Sequence, residues 1–457
     1  MERFEMMGQQ GGGQDRLFYS FNLDDHVPQD HLLRGIDRFL DLSELRQHLA
    51  GFYSHTGRPS NDPELMVRML IVGYCFGIRS ERRLCEEVHL NLAYRWFCHL
   101  GLEDVVPDHS TFSKNRHGRF RESETFRHVF ETVLQRCMAE GLVGGEGFAV
   151  DASVVKADAS RASGVPGEQA IDWRDPKRAT RAVREYVEAL DEDGEASARK
   201  SVSLTDPAAS WTCAPGGPAF FAYSTNYLID VQAGIVVDVE ATAANRTQEL
   251  DATRKMIERV EQRFEVKPKH LIGDMAYGAA PMLGWLVKDK RIEPHIPVWD
   301  KAERQDGTLS RSDFVFDAKN DRYTCPAGKY LQTTGRATAD DTVLYRASLY
   351  DCQDCPLKPK CCPNGPARKI PRSVHEESRD VARALSATDA YRQSRKDRKK
   401  VEMLFAHLKR ILKLDRLRLR GRTGAQDEFL LAATAQNLRR MAKWLVPRAP
   451  NLELLPA

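Results

Sequence analysis

The order of β-rich and helical runs after residue 145 constrains the possible folds more than any other feature. A short apolar run, "GFAV", ends at Asp151, and two β-rich runs, "NYLIDV" and "GIVVDVEAT", are separated by the hairpin signal "QAG". They are followed by a helix in "TQELDATRKMIERVEQRF", a strand in "KHLIGD" that ends at Asp274, a helix in "APMLGWLVKD" and an edge strand in "RIEPHIPV". This order predicts a mixed sheet flanked by helices, and hence a fold of the α/β (α+β) class.

The residues around this unit indicate the domain organisation. Residues 30–141 show helical patterns and no strand pattern, so they predict an all-helical N-terminal domain after a flexible tail at residues 1–29. A polar insertion at 162–220 and a Cys-rich insertion at 299–385 interrupt the sheet unit, which therefore consists of residues 142–298 and 386–446. The last part contains a capping-box pattern at Ser386, a helix from about Asp389 to Leu412, and another from about Ala425 to Trp444.

Positive charge is concentrated near the end of the chain. From Tyr391 to Arg448 there are 17 Lys and Arg residues against 5 Asp and Glu residues, a net charge of +12 in a chain whose overall net charge is +3. Apolar residues are interleaved at helical spacing, so the segment fits poorly with a fully solvated helix face. It predicts an anionic partner, nucleic acid first. The candidate DNA contacts are Arg395, Arg398, Lys399, Lys409, Arg410, Arg416, Arg418 and Arg420.

Two basic stretches each allow two interpretations. In "PDHSTFSKNRHGRF", Ser110 or Thr111 would cap a short helix that carries Lys114 and Arg116. This helix is either part of a DNA-binding helix-turn-helix or an ordinary exposed helix. The alternating "RLRLRGR" at residues 416–422 either extends the DNA contact or is an exposed edge whose leucines pack inward.

Three acidic residues are candidates for a common site. Asp151 and Asp274 each follow directly on a short apolar strand, so both are expected at the ends of inner strands of one sheet. On the helix from Asp389, Glu402 lies within about 40° of Arg398, at the edge of the buried face. Singly, each acid is explained as a turn residue, a cap or a surface ion pair. Jointly, beside a basic surface, they form the oxygen-rich set that Mg²⁺ prefers.

The combination of acids and basic residues has a chemical rationale. A phosphodiester backbone is anionic and repels carboxylates, so basic residues would hold DNA while divalent ions bridge the acids and the phosphate. We therefore predict metal-dependent phosphodiester cleavage, with Asp151, Asp274 and Glu402 binding two Mg²⁺ (or Mn²⁺) ions. Asp158 and Asp206 rank lower as candidates because neither directly ends an apolar strand.

These motifs resemble those of the DDE-type transposases of bacterial insertion sequences. The resemblance covers nearly the whole chain from about residue 30, and "DHSTFSKNR" is similar to the N-terminal helical DNA-binding region of that group. It is carried by Asp151 in "FAVDASVVKADAS", by Asp274 in "LIGDMAYG", and by the spacing of Arg398, Glu402 and Lys409.

The resemblance implies a ribonuclease-H-like catalytic fold, hydrolytic nicking at the ends of the element, and attack of the freed 3′-OH on target DNA. The implied partners are the inverted repeats at the element ends and target DNA, bound by a homodimer or a larger assembly. In that family a Tyr precedes the Arg by three residues; here this position is Arg395, and Tyr391 lies on the same stripe one turn earlier. The alternatives are a zinc-containing DNA-binding regulator without catalysis and a ribonuclease-H-type nuclease without strand transfer.

Five of the ten cysteines cluster in the second insertion. Cys325, the C-x-x-C at Cys352 and Cys355, and either Cys361 or Cys362 would supply four thiolates for a structural zinc ion. An iron–sulfur cluster and plain free cysteines are the alternatives. The sequence shows no secretion signal and no apolar run long enough to cross a bilayer, so we expect a cytoplasmic protein that does not contact a membrane.

Overall fold

The computed structural model describes residues 21–54, 56, 60–193, 199–213, 216–299 and 306–445, without the side chains of residues 192, 193 and 246. Most of the predicted tail at residues 1–29, and parts of both predicted insertions, therefore lie outside the described residues. No helix in the described part is both long and apolar enough to cross a membrane.

The described residues before Gly147 form helices and no strand, which confirms the helical N-terminal region. The α-helices are α1 Leu23–His26, α2 Leu32–Asp37, α3 Leu45–Leu49, α4 Pro63–Phe76, α5 Glu81–Leu90, α6 Leu92–Phe97, α7 His109–His117, α8 Arg119–Glu122 and α9 Thr125–Ala139. The Asp62 carboxylate caps α4 by accepting a hydrogen bond from the Glu64 amide. The cap of α7 is Asp108, not Ser110 or Thr111, because the Asp108 carboxylate accepts from the Ser110 amide.

The mixed sheet that the sequence predicts lies at the centre of the next region and has six strands. In chain order, the strands up to residue 295 are β1 Gly147–Lys156, β2 Gly164–Pro166, β3 Ser201–Ser203, β4 Ser210–Cys213, β5 Ala219–Asp230, β6 Ile235–Ala243, β7 His270–Ile272 and β8 Glu293–His295. β5 is antiparallel to β1 on one side and to β4 and β6 on the other. β7 is parallel to β1, and β8 is parallel to β7 at the edge. β2 and β3 pair only with each other among the described strands.

One strand is longer than the sequence predicts. The prediction ends β1 at Asp151, but residues 151–156 continue the strand because they pair with residues 222–227 of β5. Asp151 therefore lies inside β1, whereas Asp274 follows β7 by two residues. The polar insertion contains β2, β3 and β4, where the sequence predicts no strand, and β4 extends the main sheet.

Helices pack against the sheet and join it to the N-terminal region. The remaining α-helices are α10 Arg181–Asp193, α11 Arg246–Phe264, α12 Ala280–Gly284 with a π-helical turn over Trp285–Lys290, α13 Leu349–Gln353, α14 Lys358–Cys361, α15 Glu376–Leu385, α16 Asp389–Arg410 and α17 Arg422–Leu445. α16 crosses β1 and β7, and α17 packs against β6 and also against α2, α4 and α9. The hydroxyl of Thr388, rather than Ser386, caps α16. One hydrophobic core therefore includes the helical region and the sheet.

The Cys-rich stretch forms a second, antiparallel sheet. Its strands are β9 Val315–Asp317, β10 Arg322–Thr324, β11 Tyr330–Gln332, β12 Thr342–Ala347 and β13 Lys369–Ser373, and they lie in the order β13-β12-β11-β10-β9. Aromatic residues Tyr323 and Tyr345 pack edge to face in a small core of its own, which also contains Leu331 and Cys361. This stretch thus has its own hydrophobic cluster beside the main core.

Candidate active site

The register of two parallel strands brings Asp151 and Asp274 to the same level of the sheet. Ala149 of β1 lies opposite Ile272 of β7. Two residues further along each segment are the two aspartates, so they lie at the same edge of the strand pair. The turn after β7 fixes the second of them, because the Asp274 carboxylate accepts a hydrogen bond of 2.7 Å from the Ala276 amide.

The guanidinium of Arg398, on α16, lies between these two carboxylates. Its Nη2 atom is 3.6 Å from Asp151 Oδ2 and 3.8 Å from Asp274 Oδ2. Burial raises the pKa of Asp151, and the positive charge of Arg398 acts in the opposite direction. α16 reaches this position because its apolar face, which includes Val401 and Leu408, is buried. The structure thus brings together two of the three predicted acids and one predicted basic residue.

Glu402 lies one helical turn after Arg398 but is exposed, not at the edge of the buried face as predicted. It makes no hydrogen bond or ion pair with any residue in the part of the chain that the structure describes. Among the described residues, no group of three or more His, Cys, Asp or Glu side chains forms a cluster that could hold a metal ion. Asp151 and Asp274 still fit a divalent cation in their donor chemistry, since carboxylate oxygens are preferred Mg²⁺ ligands and a cationic group already lies between them.

Most of the predicted DNA-binding residues lie on the surface. The exposed ones are Arg395, Lys399, Lys409, Arg410, Arg416, Arg418, Arg420 and Lys114. Arg398 is partly exposed. Arg116 is buried, and its side chain forms an ion pair of 2.7 Å with Glu81. Its predicted role as a DNA contact is therefore wrong: the guanidinium is shielded from any ligand by the helices around it.

The leucines of the "RLRLRGR" segment pack inward, as the second interpretation of its sequence predicts, whereas its contact with DNA stays a prediction. Leu417 and Leu419 are buried, so the alternating leucines pack inward. The arginines between them remain exposed, and two of them, Arg416 and Arg420, form ion pairs of 3.3 and 3.0 Å with Asp158. Asp158 thus has a partner in the basic surface and no contact with the aspartate pair.

The carboxylate of Glu428 fixes the backbone of this segment. Glu428 lies on α17, its side chain is 0% exposed, and its Oε1 atom accepts hydrogen bonds of 2.6 Å from the amides of both Arg418 and Leu419. Its other oxygen forms an ion pair with Arg79, which follows α4 in the N-terminal region. Glu428 therefore links the basic segment to the helical region, a role that the sequence did not indicate.

Two residues considered in the sequence are parts of the core. Asp206 is buried and accepts a hydrogen bond of 2.5 Å from the Tyr223 hydroxyl, and burial raises its pKa to about 6. Tyr391 is buried against the ring of His295, at 5.7 Å between ring centroids. His295 is held in turn by a hydrogen bond of 2.6 Å to Ser394 of α16. These contacts position the start of α16 on the sheet.

The sequence interpretation missed Tyr277, which belongs to the same "GDMAYG" motif as Asp274. Its ring is buried, and its hydroxyl has no hydrogen-bond partner within the described ranges. Burial raises the pKa of this hydroxyl, and the carboxylates of Glu249, Asp151 and Asp274 raise it further. The Tyr277 phenol, buried close to the acids, therefore stays protonated. The only sequence feature that could have indicated this residue is its position inside the "GDMAYG" motif.

The five clustered cysteines surround one small cavity. Cys325, Cys352, Cys355, Cys361 and Cys362 all line a space of about 30 Å³ between the second sheet and α14. All five are free thiols. Burial raises the pKa of Cys361 to about 11. The cavity thus collects the predicted ligands, although they do not form a metal cluster in this arrangement.

Two models of protein families match the chain. Residues 21–118, most of the helical N-terminal region, match a transposase domain (DUF772). Residues 324–442, which contain α16 with Glu402 and the clustered cysteines, match a transposase DDE domain. No curated protein and no solved structure matches the chain significantly.

Proposed function

Because this chain is a DDE transposase of an insertion sequence, we propose that Asp151, Asp274 and Glu402 are its three catalytic acids. One observation carries the assignment: Asp151 and Asp274 both contact the guanidinium of Arg398. The two aspartates come from distant parts of the chain, and the neighbouring parallel strands β1 and β7 bring them together. Glu402 is assigned from its place on α16, one turn after Arg398, and from the matching of this helix by the DDE domain.

The sheet supports a ribonuclease-H-like catalytic domain. β1, β5 and β6 form an antiparallel meander, and β7 and β8 extend it in parallel to β1. We divide the chain accordingly into a helical DNA-binding domain at 30–141, a catalytic domain at 142–298 and 386–446, and a Cys-rich insertion at 299–385. The separate hydrophobic cluster of the insertion supports the last of these boundaries.

The three acids would hold Mg²⁺ or Mn²⁺, as DDE transposases generally use divalent metal ions. When bound, such ions would lower the charge barrier between the carboxylates and the phosphate, activate the attacking oxygen and stabilise the leaving one. The protein's own contribution is to fix Asp151 within a paired strand and Asp274 at a hydrogen-bonded turn, so that their oxygens need little reorganisation.

The exposed basic residues of α16 and of residues 416–420 would hold the DNA phosphates beside these acids. A carboxylate site alone repels a polyanion, so its affinity for DNA must come from neighbouring Lys and Arg residues. Arg395 and Lys409 share the face of α16 that carries Arg398 and Glu402, by their helical spacing. Joining two element ends to one target requires at least two active sites, and we therefore propose a homodimer or a larger assembly on DNA.

Incubation of the protein with Mg²⁺, the two ends of its element and a supercoiled target tests this function. We expect nicks at the element ends and products in which an element end is covalently joined to the target, both lost in EDTA. Nicked ends that are never joined, under conditions in which paired ends form, would indicate a nuclease without strand transfer. Specific binding without any cleavage would indicate a regulator.

We further propose that Cys325, Cys352, Cys355 and one of Cys361 and Cys362 hold a structural zinc ion. Their position around a single cavity supports this proposal. The purified protein is expected to contain about one zinc ion per chain, because thiolates bind zinc tightly. Cys352→Ser should lose the metal and destabilise the second sheet, whereas Cys213→Ser, at an exposed thiol on β4, should retain it. Elemental analysis after dialysis measures both, and protein free of stoichiometric zinc would contradict the proposal.

A further inference from the structure

The Arg398 guanidinium contacts the aspartate pair in a geometry from which a competing cation can displace it. The two N–O distances of 3.6 and 3.8 Å are those of an ion pair and exceed hydrogen-bond length. The Arg398 side chain is 31% exposed, and its Nε atom is buried without a hydrogen-bond partner among the described residues. The guanidinium is therefore attracted mainly by charge, and it lacks the bidentate bonds that would lock it in place.

A divalent ion and the guanidinium compete for the same oxygens. Only 19% of the Asp151 side chain and 38% of the Asp274 side chain are exposed. Water therefore screens the negative charges of these carboxylates only in part. Arg398 neutralises part of this charge when no metal is bound. A metal ion on the same Oδ2 atoms would repel the guanidinium, because both are cations within a few ångströms of each other.

The released guanidinium has a place to go on its own helix. The spacing of α16 puts Arg398 on one face with Arg395 and Lys409, both of which are exposed. A rotation of the long, partly exposed side chain about its own torsions moves the charge from the acids to this row. There it would add one cation to the surface that we assign to DNA phosphates.

We propose that Arg398 alternates between the aspartate pair and the DNA backbone, so that metal binding and DNA binding strengthen each other. This inference rests on the proposed function, since it takes the aspartates as metal ligands and the α16 row as a DNA contact. Arg398 is a positioning residue in this scheme. By reciprocity, the metal must raise DNA affinity by the same factor by which DNA raises metal affinity.

The test compares Arg398→Gln with Arg395→Gln, which removes the same charge from the same face without a contact to the acids. In the absence of DNA, Arg398→Gln is expected to bind Mn²⁺ about tenfold more tightly than the wild type, because a competing cation is removed. Arg395→Gln should bind Mn²⁺ nearly as the wild type does. Electron paramagnetic resonance of free Mn²⁺ measures this affinity without any turnover, and circular dichroism confirms the fold of each variant.

DNA binding supplies the second measurement. Mn²⁺ should increase the affinity of the wild type and of Arg395→Gln for element-end DNA more than that of Arg398→Gln, in which the coupling is lost. Arg398→Lys, which keeps a cation, should show an intermediate Mn²⁺ affinity. If Arg398→Gln binds Mn²⁺ no more tightly than Arg395→Gln, the inference is wrong and the metal site stands. If Asp151→Asn leaves Mn²⁺ binding unchanged in every background, the metal site itself is wrong, and the inference falls with it.

Discussion

Replacing Asp151 by Asn is expected to reduce nicking at the element ends by about a thousandfold or more, while specific DNA binding persists. The substitution keeps the size of the side chain but removes a charged oxygen ligand, and the loss of several kcal/mol of transition-state stabilisation corresponds to this factor. We expect the same for Asp274→Asn and Glu402→Gln. The effect of Glu402→Gln is the most informative, because Glu402 is exposed and forms no metal-binding cluster with the aspartate pair among the described residues.

Single-turnover nicking of a labelled element end in Mg²⁺ measures this loss, with a gel-shift assay for binding. Asp158→Asn is the matched control: it removes an acid near the end of β1 that pairs with Arg416 and Arg420 and does not contact the aspartate pair. It should nick at close to the wild-type rate. Equal activity of Glu402→Gln and the wild type would show that Glu402 is not a catalytic acid. Asp151 and Asp274 would then need a different residue as the third metal ligand.

The second large effect is expected for the stability of the fold, from Glu428→Ala. The carboxylate is fully buried, pairs with Arg79 and accepts hydrogen bonds from the amides of Arg418 and Leu419. Its removal leaves a buried guanidinium and two backbone amides without their acceptor, which costs about 3–5 kcal/mol in the free energy of unfolding. The basic segment at residues 416–420 should also lose its fixed position, so DNA affinity is expected to fall together with stability.

Urea unfolding followed by circular dichroism measures the change in stability. Glu377→Ala is the matched control, because Glu377 also forms an ion pair, with Lys288 at 3.1 Å, but its side chain is 78% exposed. It should change the free energy of unfolding by less than about 0.5 kcal/mol. Similar losses in both variants would show that burial of Glu428 does not matter to the fold.

Local sequence patterns were sufficient for the elements that carry the site. The apolar stripe of α16 is buried as predicted, and the hairpin of β5 and β6 and the strand before Asp274 are present. Such patterns depend on the period of the helix or strand and on nearby turn residues, so a single segment contains the information. The predicted end of β1 at Asp151 was wrong for the same reason: the residues after it, 152–156, are held in the strand by pairing with β5, a segment about 70 residues away.

Charged residues were the least predictable part of the chain. Arg116 looks like a surface residue in a basic stretch, yet it is buried because Glu81 of a neighbouring helix pairs with it. The helical spacing placed Glu402 beside the buried face, but the fold leaves it in solvent. A charged side chain is tolerated in the protein interior only where another residue pairs with it. The packing of the helices and strands determines which residue that partner is.

The sequence by itself determined the main helices, the order of β1, β5, β6, β7 and β8 and the helices between them, and the identity of the acids as candidates, because these follow from periodicity and from residues adjacent in the chain. Only the tertiary structure decided that Arg398 lies between Asp151 and Asp274, that Glu428 anchors the basic segment, and that Glu402 is exposed. Arg398 and Asp151 are about 250 residues apart in the chain, and Glu428 and its partner Arg79 are 349 residues apart. The geometry of such contacts depends on strand register and helix packing, which no local pattern records.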